Sequence, residues 1–287
     1  VKIYECVPNV SEGRDPAVLD ACAAAIEAAG AEVAHRTSDS VHHRSVFTFF
    51  GTREVVLGAA VTLARVCCER IDLRAHAGVH PRIGALDVLP FVPFGDATLE
   101  DAADVAREAA RRLWLELGVP CFLYGAAAAR PERMLLAHAR GRGFEDLATR
   151  PDGPDVGTVW AHASAGATAV GARRVLAAFN VLLATGDVAL ARRIARTIRE
   201  RDGGLRGVRA LGLDLGHGRV QVSCNLTDVA ATPPDHIVAV VAALTAPFGV
   251  AVAGAETIGL LPRATLAGIV ARRLGIEALP AWAEPTA

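Results

Sequence analysis

The sequence is poor in the features that classify a protein most quickly. Aromatic residues make up only 5% of its 287 positions, so the core has to come mostly from Ala, Val and Leu, within a hydrophobic content of 52%. Neither sign of charge dominates: 30 Lys and Arg stand against 31 Asp and Glu, a formal charge of -1. With both signs spread along the chain, that balance argues against bulk electrostatic binding to nucleic acid or an anionic membrane. The six cysteines form no C-x-x-C pair, and most sit in apolar segments. They read as buried reduced thiols of a cytoplasmic protein, not as a disulfide framework. The start "VKIYECVPNV" has no apolar signal segment and no A-x-A site, so secretion is not expected. One uncharged run, "IVAVVAALTAPFGVAVAGA" at 237–255, approaches membrane-span length. Pro247 and Gly249 divide it, and it reads as a helix followed by a short strand.

Familiar catalytic and nucleotide signatures are missing too. There is no G-x-x-x-x-G-K-[ST] and no G-x-G-x-x-G after a strand, which removes local support for nucleoside triphosphate or dinucleotide binding. "HASAG" at 162–166 falls short of a nucleophile elbow because His162 replaces the first glycine, and no triad order completes it.

What is present is an alternation of short β-branched runs with Ala-rich helical stretches. Strands are expected at 2–7, 32–37, 45–51, 85–92 and 119–124, with helices at 16–29, 53–70 and 98–116. Asp15-Pro16 and Thr98 supply helix starts. Residues 139–158, "ARGRGFEDLATRPDGPDVG", are rich in Gly, Pro and charge and read as a linker. Beyond them, strands are expected at 173–183, 207–214, 219–225 and 250–254, and helices at 187–201, 235–246 and near 263–274. Gly216-His217-Gly218 should form a tight turn. The second half therefore reads β-α-β-β-α-β, and the first half begins in the same order before adding α-β. That is the split βαβ, ferredoxin-like pattern. The fold expected is α+β: two ferredoxin-like (βαββαβ) subdomains, 1–165 and 166–287, with sheets facing each other and helices outside. The crevice between them is the default binding site.

The chemical signal concentrates in "LRAHAGVHPRIGALDVLPFVP", 73–93. His76 and His80 have the i, i+4 spacing of metal ligands on a helix, but Gly78 between them and Pro81 after them oppose helical geometry. Asp39 and one of His42-His43 could complete a metal set, although adjacent residues usually point apart. His80 stands out because Arg82 beside it offers a planar cation suited to carboxylates, and Asp87 lies in a run that otherwise reads as buried. "SDSVHHRS", 38–45, brings Asp39 and Arg44 to the gap between two other strands. A buried carboxylate next to a histidine would orient the ring and hold it near a neutral pKa. His76 reads as a residue that ties down its loop, and His35, His138, His217 and His236 read as structural.

Five blocks then carry a resemblance: "YECVPNVSEGRDP" at 4–16, "HHRSVFTFFG" at 42–51, "HAGVHPRIGALDVLPFVP" at 76–93, "VPCFLYGAAA" at 119–128 and "GATAVGARRVLAAFNVLL" at 166–183. Together, in order and over nearly the whole chain, they resemble the glutamate formimidoyltransferases, the formiminotransferase part of the animal formimidoyltransferase-cyclodeaminases. The chain ends where the animal enzyme continues into its cyclodeaminase, so that second activity is not expected. The resemblance implies two α/β subdomains with a folate tunnel between them, and transfer of a formimino group from N-formimino-L-glutamate to tetrahydrofolate in histidine degradation. It implies His80 of the H-P-R block as the catalytic histidine. It also implies that folate is contacted by Gly157, Thr158, Val159, Trp160, Ala161, His162, Ala163, Ser164, Ala165 and Gly166. Thr158 stands where the family often has proline, Trp160 and His162 look particular to this chain, and His42-His43 departs from the usual single polar residue before the arginine.

Such a reaction asks the incoming folate nitrogen to lose a proton and the leaving glutamate nitrogen to gain one, and one histidine near neutral pKa could do both in turn. His80 is the expected shuttle, with Asp39 or Glu12 holding the cationic amidine. Arg44 and Arg82 are expected to meet the carboxylates of glutamate and folate. Tetrahydrofolate is a co-substrate, no metal is expected, and a cytoplasmic homodimer is the expected form. Two alternatives stay open: formyl transfer from N-formylglutamate, and a folate-binding protein without turnover.

Overall fold

A computed structural model describes residues 1–229 and 231–258; the helix expected near 263–274 lies outside them. The described chain is mixed α and β and divides into two compact units, Val1–Arg174 and a second that starts at Val175.

In the first unit, β1 (Lys2–Cys6) and the two-residue β2 (Asn9–Val10) lead to α1 (Pro16–Ala28), then β3 (Glu32–Asp39) and β4 (Arg44–Gly51). There follow α2 (Arg53–Arg70), β5 (Leu86–Gly95), α3 (Leu99–Leu117) and β6 (Cys121–Gly125), a short helix α4 (Leu136–Arg140), and β7 (Thr168–Ala172). Helix starts follow the expected chemistry. Asp15 accepts from Ala17 N–H with Pro16 at the first helical position, where a missing N–H costs nothing. Thr98 and Asp101 form a reciprocal capping box for α3, which satisfies two otherwise orphaned donors. That helix stops at Gly118, whose φ of 66° is the left-handed turn glycine adopts without strain.

β1 and β2 are two pieces of one path, each antiparallel to both β4 and β5. β3 pairs with β4, and β7 lies parallel between β5 and β6. α1, α2 and α3 pack with the sheet around Tyr4, Phe47, Phe49, Leu57, Phe91 and Leu113. Burying each such side chain is worth ~1.5–3 kcal/mol. A smaller cluster joins Ile83, Val88, Phe122 and Tyr124 to Ala139 and Leu147.

Ala139 and Leu147 correct the linker reading of 139–158. They are fully buried, as is Arg133 just before them, and residues 131–149 form α4 flanked by 3-10 turns. The glycines and charges that suggested a linker belong to tight turns and buried ion pairs.

The strand expected at 173–183 is found as the shorter Ala177–Leu183, and a strand just before it, Thr168–Ala172, was not expected. β7 ends at Ala172, and β8 (Ala177–Leu183) opens the second unit. The units part between Arg174 and Val175, downstream of the expected 165/166 boundary, because residues 168–172 complete the first sheet. The second unit continues with α5 (Val188–Ile198), β9 (Val208–Gly216), β10 (Arg219–Leu226), α6 (Pro234–Thr245) and β11 (Val252–Ile258). Its sheet is antiparallel in the order β11-β8-β10-β9. His217 and Gly218 turn β9 into β10 with φ of 53° and 71°, the hairpin geometry expected of that sequence. The core gathers Phe179, Val181, Ile194, Val222, Ile237 and Val241. No helix among the described residues is long and apolar enough to cross a membrane.

Candidate active site

The loop carrying His80 joins α2 to β5 and is pinned by backbone bonds on several sides. Leu73 N–H donates to Ser164 O at 2.9 Å, Val79 to Val41 O at 3.3 Å and Ala85 to Ala165 O at 2.9 Å. Its other links are Phe144 N–H to Arg82 O at 2.8 Å and Ala167 N–H to Ile83 O at 2.9 Å. Gly78 makes the approach to the 41–43 turn possible, since a Cβ there would stand 2.5 Å from His42 O and 2.8 Å from His43 Cβ. A loop tied at this many points holds its side chains with little freedom left to lose on binding.

His80 Nδ1 lies 2.8 Å from Pro81 O. A carbonyl only accepts, so this bond places the proton on Nδ1 and leaves Nε2 with its lone pair. Behind the ring, Asp87 is completely buried. Its Oδ2 accepts from Arg44 Nη1 at 2.6 Å and stands 2.9 Å from Arg140 Nη2, while Oδ1 accepts from Ile83 N–H at 2.7 Å. Burial pushes the Asp87 carboxyl up, but Arg140 and Arg44 outweigh it and hold the group well below the usual carboxylate range. For His80 the balance goes the other way. Burial first, then Arg44 and Arg140, push it down from 6.5 to about 3, with Asp87 and the Pro81 bond only partly opposing. This corrects the expectation of a near-neutral histidine: the buried carboxylate is turned to the two guanidiniums and not to the ring.

Arg44 also gives its Nε and Nη2 to Asn9 Oδ1 at 3.1 and 2.9 Å. Arg82 is engaged throughout. Its Nε donates to His76 Nδ1 at 3.0 Å, its Nη2 lies 2.8 Å from Glu145 Oε1, and the same nitrogen reaches His76 O at 3.1 Å. His76 sends Nε2–H to His43 O at 3.1 Å and stacks on the His43 ring, centroids 4.1 Å apart. His43 bridges Ala77 O and Glu12 Oε1. The role of His76 as a loop tie is thus visible in its partners.

Two carboxylates line the same region. Burial would raise Glu12, but backbone N–H groups of Asp15, Arg14 and Gly13, with His43, hold it below the usual range. Asp39 is likewise lowered: burial opposes, and the His42 backbone and ring outweigh it. Its Oδ1 accepts from the Val41 and His42 N–H groups, and Oδ2 lies 3.1 Å from His42 Nδ1. The His42 ring in turn stands 6.1 Å from that of His80, tilted by 56°.

The 157–166 segment meets the His80 loop through Ser164, Ala165 and Gly166. Gly157 takes φ 112°, after which Thr158, Val159 and Trp160 reach the surface, Val159 and Trp160 being 43% and 37% exposed. Ala161 leads into a turn closed by His162 N–H to Gly166 O at 2.7 Å and the return bond at 3.0 Å. His162 Nδ1 accepts from Ala165 N–H at 3.1 Å inside that turn, with Ala163 exposed at its tip. Gly166 forms a bridge with Gly84 beside the H-P-R block.

The site thus joins His80, Arg44, Asp39 and the 162–166 turn, and ties Arg82 to the loop itself. Two participants escaped the sequence: Arg140, hidden in the supposed linker, and Asn9, in a turn between two strand pieces. No local signal marks either, because their partners are distant in the chain. Among the described residues no group of three or more His, Cys, Asp or Glu side chains is placed to hold a metal ion.

Comparison with known proteins agrees with this geometry. Residues 3–173 match the model of the formiminotransferase domain, N-terminal subdomain, and residues 178–272 that of the formiminotransferase domain. The chain is 38% identical to the glutamate formimidoyltransferase of Streptococcus pyogenes serotype M1, over 96% of this chain and 94% of that protein. It is 37% identical to the glutamate formimidoyltransferase of Thermoplasma acidophilum, over 93% and 90%. The formimidoyltransferase-cyclodeaminase of Gallus gallus is 38% identical over 91% of this chain but only 50% of its own length. With both halves matched by the two domain models and the bacterial and archaeal relatives covered almost end to end, the chain belongs to the formiminotransferase family.

Proposed function

We infer that the protein transfers the formimino group of N-formimino-L-glutamate to N5 of tetrahydrofolate, giving 5-formimino-tetrahydrofolate and L-glutamate, in histidine degradation. Family membership across both units supports the reaction. The observation that carries the site is His80, its Nδ1–H fixed on Pro81 O and its Nε2 left as a base.

In this reading N5 attacks the amidine carbon, Nε2 of His80 takes the N5 proton, and the tetrahedral intermediate expels glutamate as an amine. A base pushed down to about 3 is unprotonated at neutral pH, which suits removal of the acidic proton of a newly quaternised nitrogen. Arg44, with Arg140 beside it, supplies positive charge for the donor's carboxylates. Arg82 orders the loop and adds to the same field. Asp39 keeps its charge at the rim, favourable to a cationic amidine. Residues 157–166 offer tetrahydrofolate a surface that includes Val159 and Trp160. No metal enters, because protonation already activates the amidine.

The same proposal takes both units as ferredoxin-like. The order β1-α1-β3-β4-α2-β5 of the first and β8-α5-β9-β10-α6-β11 of the second supports it. It also takes the protein as a cytoplasmic homodimer, a reading suited by the free cysteines and Ala-rich helices.

The test mixes purified protein with tetrahydrofolate and N-formimino-L-glutamate and follows both products. Equimolar glutamate and 5-formimino-tetrahydrofolate are expected. Turnover with N-formylglutamate alone would replace the donor, and tetrahydrofolate binding without turnover on either donor would overturn the reading.

A further inference from the structure

One histidine is badly placed to perform both proton transfers. His80 is buried and lies in the field of Arg44 and Arg140, which Asp87 opposes only in part, so a proton it accepts is poorly held for the leaving nitrogen. The other side of the reaction is served by a different ring. His42 lies on the turn that Val79 N–H and the bare Cα of Gly78 draw against the His80 loop. Its side chain is 12% exposed. Asp39 is fixed by two backbone N–H groups, at 2.8 and 2.7 Å, and presents its second oxygen to His42 Nδ1 at 3.1 Å. An ionised carboxylate at that distance keeps a proton on Nδ1, orients the ring, and stabilises the imidazolium when Nε2 is also protonated.

The rings of His42 and His80 neither stack nor hydrogen-bond to one another. Their centroids are 6.1 Å apart at 56°, about the span of two hydrogen bonds end to end. The environments differ in sign: the fields of Arg44 and Arg140 act on His80 and the Asp39 carboxylate contacts His42 Nδ1. That difference suits the His80 ring to accept a proton and the ring hydrogen-bonded to Asp39 to give one.

We propose that His42, held by Asp39, is the catalytic acid that protonates the leaving glutamate nitrogen while His80 acts as the base toward N5. This rests on the transferase reading above. Along the reaction, the N5 lone pair forms the N5–C bond and the C=N pair moves to nitrogen. His80 Nε2 takes the N5 proton. The lone pair on the retained nitrogen then re-forms the C=N bond as the C–N bond to glutamate breaks with its electron pair on the glutamate nitrogen, which receives the proton of His42 Nε2. One proton is gained by His80 and one lost by His42, and exchange with water restores both. Neither oxidant nor metal is needed.

Chemical rescue separates this role from a structural one. In His42→Ala, kcat should fall by about 10²-fold or more, with tetrahydrofolate affinity retained. Added imidazole should restore turnover in proportion to its protonated fraction, so rescue weakens as pH rises through imidazole's own pKa. Substituted imidazoles of lower pKa should need correspondingly lower pH. Full turnover in His42→Ala, or rescue that tracks neutral imidazole, would overturn the proposal. Should His42→Ala fail to fold, Asp39→Asn gives the second reading: a kcat loss is expected beyond any rise in KM for the donor, and unchanged kcat contradicts it. Wild-type protein run alongside keeps the two questions apart. Absence of tetrahydrofolate-dependent glutamate release there would sink the reaction itself, whereas wild-type activity with an indifferent His42 would sink only this assignment.

Discussion

The first unit contains two buried arginine–aspartate clusters, and they are built for different ends. Around Asp155 and Asp152 the arginines are nearly saturated, with Arg133 Nε the one buried guanidinium nitrogen there that lacks a partner among the described residues. Arg133 binds both carboxylates and Gly153 O. Arg150 takes Asp152, Ala139 O and His138 O. Both guanidiniums lie over the Phe122 ring, 4.9 and 4.2 Å from its centroid. Around Asp87 the bonding is leaner. Arg44 is aligned, but Arg140 sits 2.9 Å from the carboxylate while neither its Nε nor its Nη2 completes an aligned hydrogen bond. A cluster that spends nearly every donor on fixed partners is scaffolding, whereas one that leaves two donors of a single guanidinium unaligned beside an imidazole is arranged to receive something anionic.

The sharpest way to break that contrast is His80→Ala, which should lower turnover by ~10²–10⁴-fold with tetrahydrofolate affinity nearly intact, read by steady-state kinetics and a binding titration. Next come the two aspartates as a pair. Asp87→Asn and Asp155→Asn each strip a counter-charge from buried guanidiniums and should each cost ~3–5 kcal/mol in urea unfolding. Only Asp87→Asn should also reduce kcat of the folded protein. Loss of kcat in both, or in neither, would erase the distinction. A smaller effect is expected of Arg140→Gln. Removing one of the cations that depress His80 should move the acid limb of kcat/KM to higher pH, and an unmoved limb would mean Arg140 does not act on the ring.

The smallest effect is on stability. His80 is pushed down from 6.5 to about 3 in the native protein. Between those values the unfolded chain binds a proton that the native chain refuses, so stability is lost as pH falls through that window and is fully present above it. His80→Asn should therefore flatten the slope of unfolding free energy against pH from about 6.5 downward.

Much of this was legible in the residues. Asp15-Pro16 and the Thr98/Asp101 box fixed two helix starts because caps are local chemistry. Gly78 and Pro81 ruled out a helix through His76 and His80. What was not legible depended on distance. Arg140 follows no periodic pattern and sits among glycines, and only the folded chain carries it to Asp87. β7 was missed because its small residues, Thr168 to Ala172, carry little β-branched or aromatic signal, and only its parallel pairing with β5 and β6 makes it a strand. The environment of His80 was misread for a related reason. Asp87 was correctly seen as a buried carboxylate in a strand, yet which neighbour it pairs with is decided by side-chain direction, and direction is a tertiary property.

The most direct test of the central claim, that burial together with two guanidiniums holds His80 as a free base, is an NMR titration of the histidine ring protons, with His80→Asn assigning the signal. The account predicts that the His80 resonance stays in its neutral position as pH is lowered through 6.5 and begins to move only on approach to about 3. A midpoint near 6.5 would contradict it and return His80 to the role of a single proton shuttle.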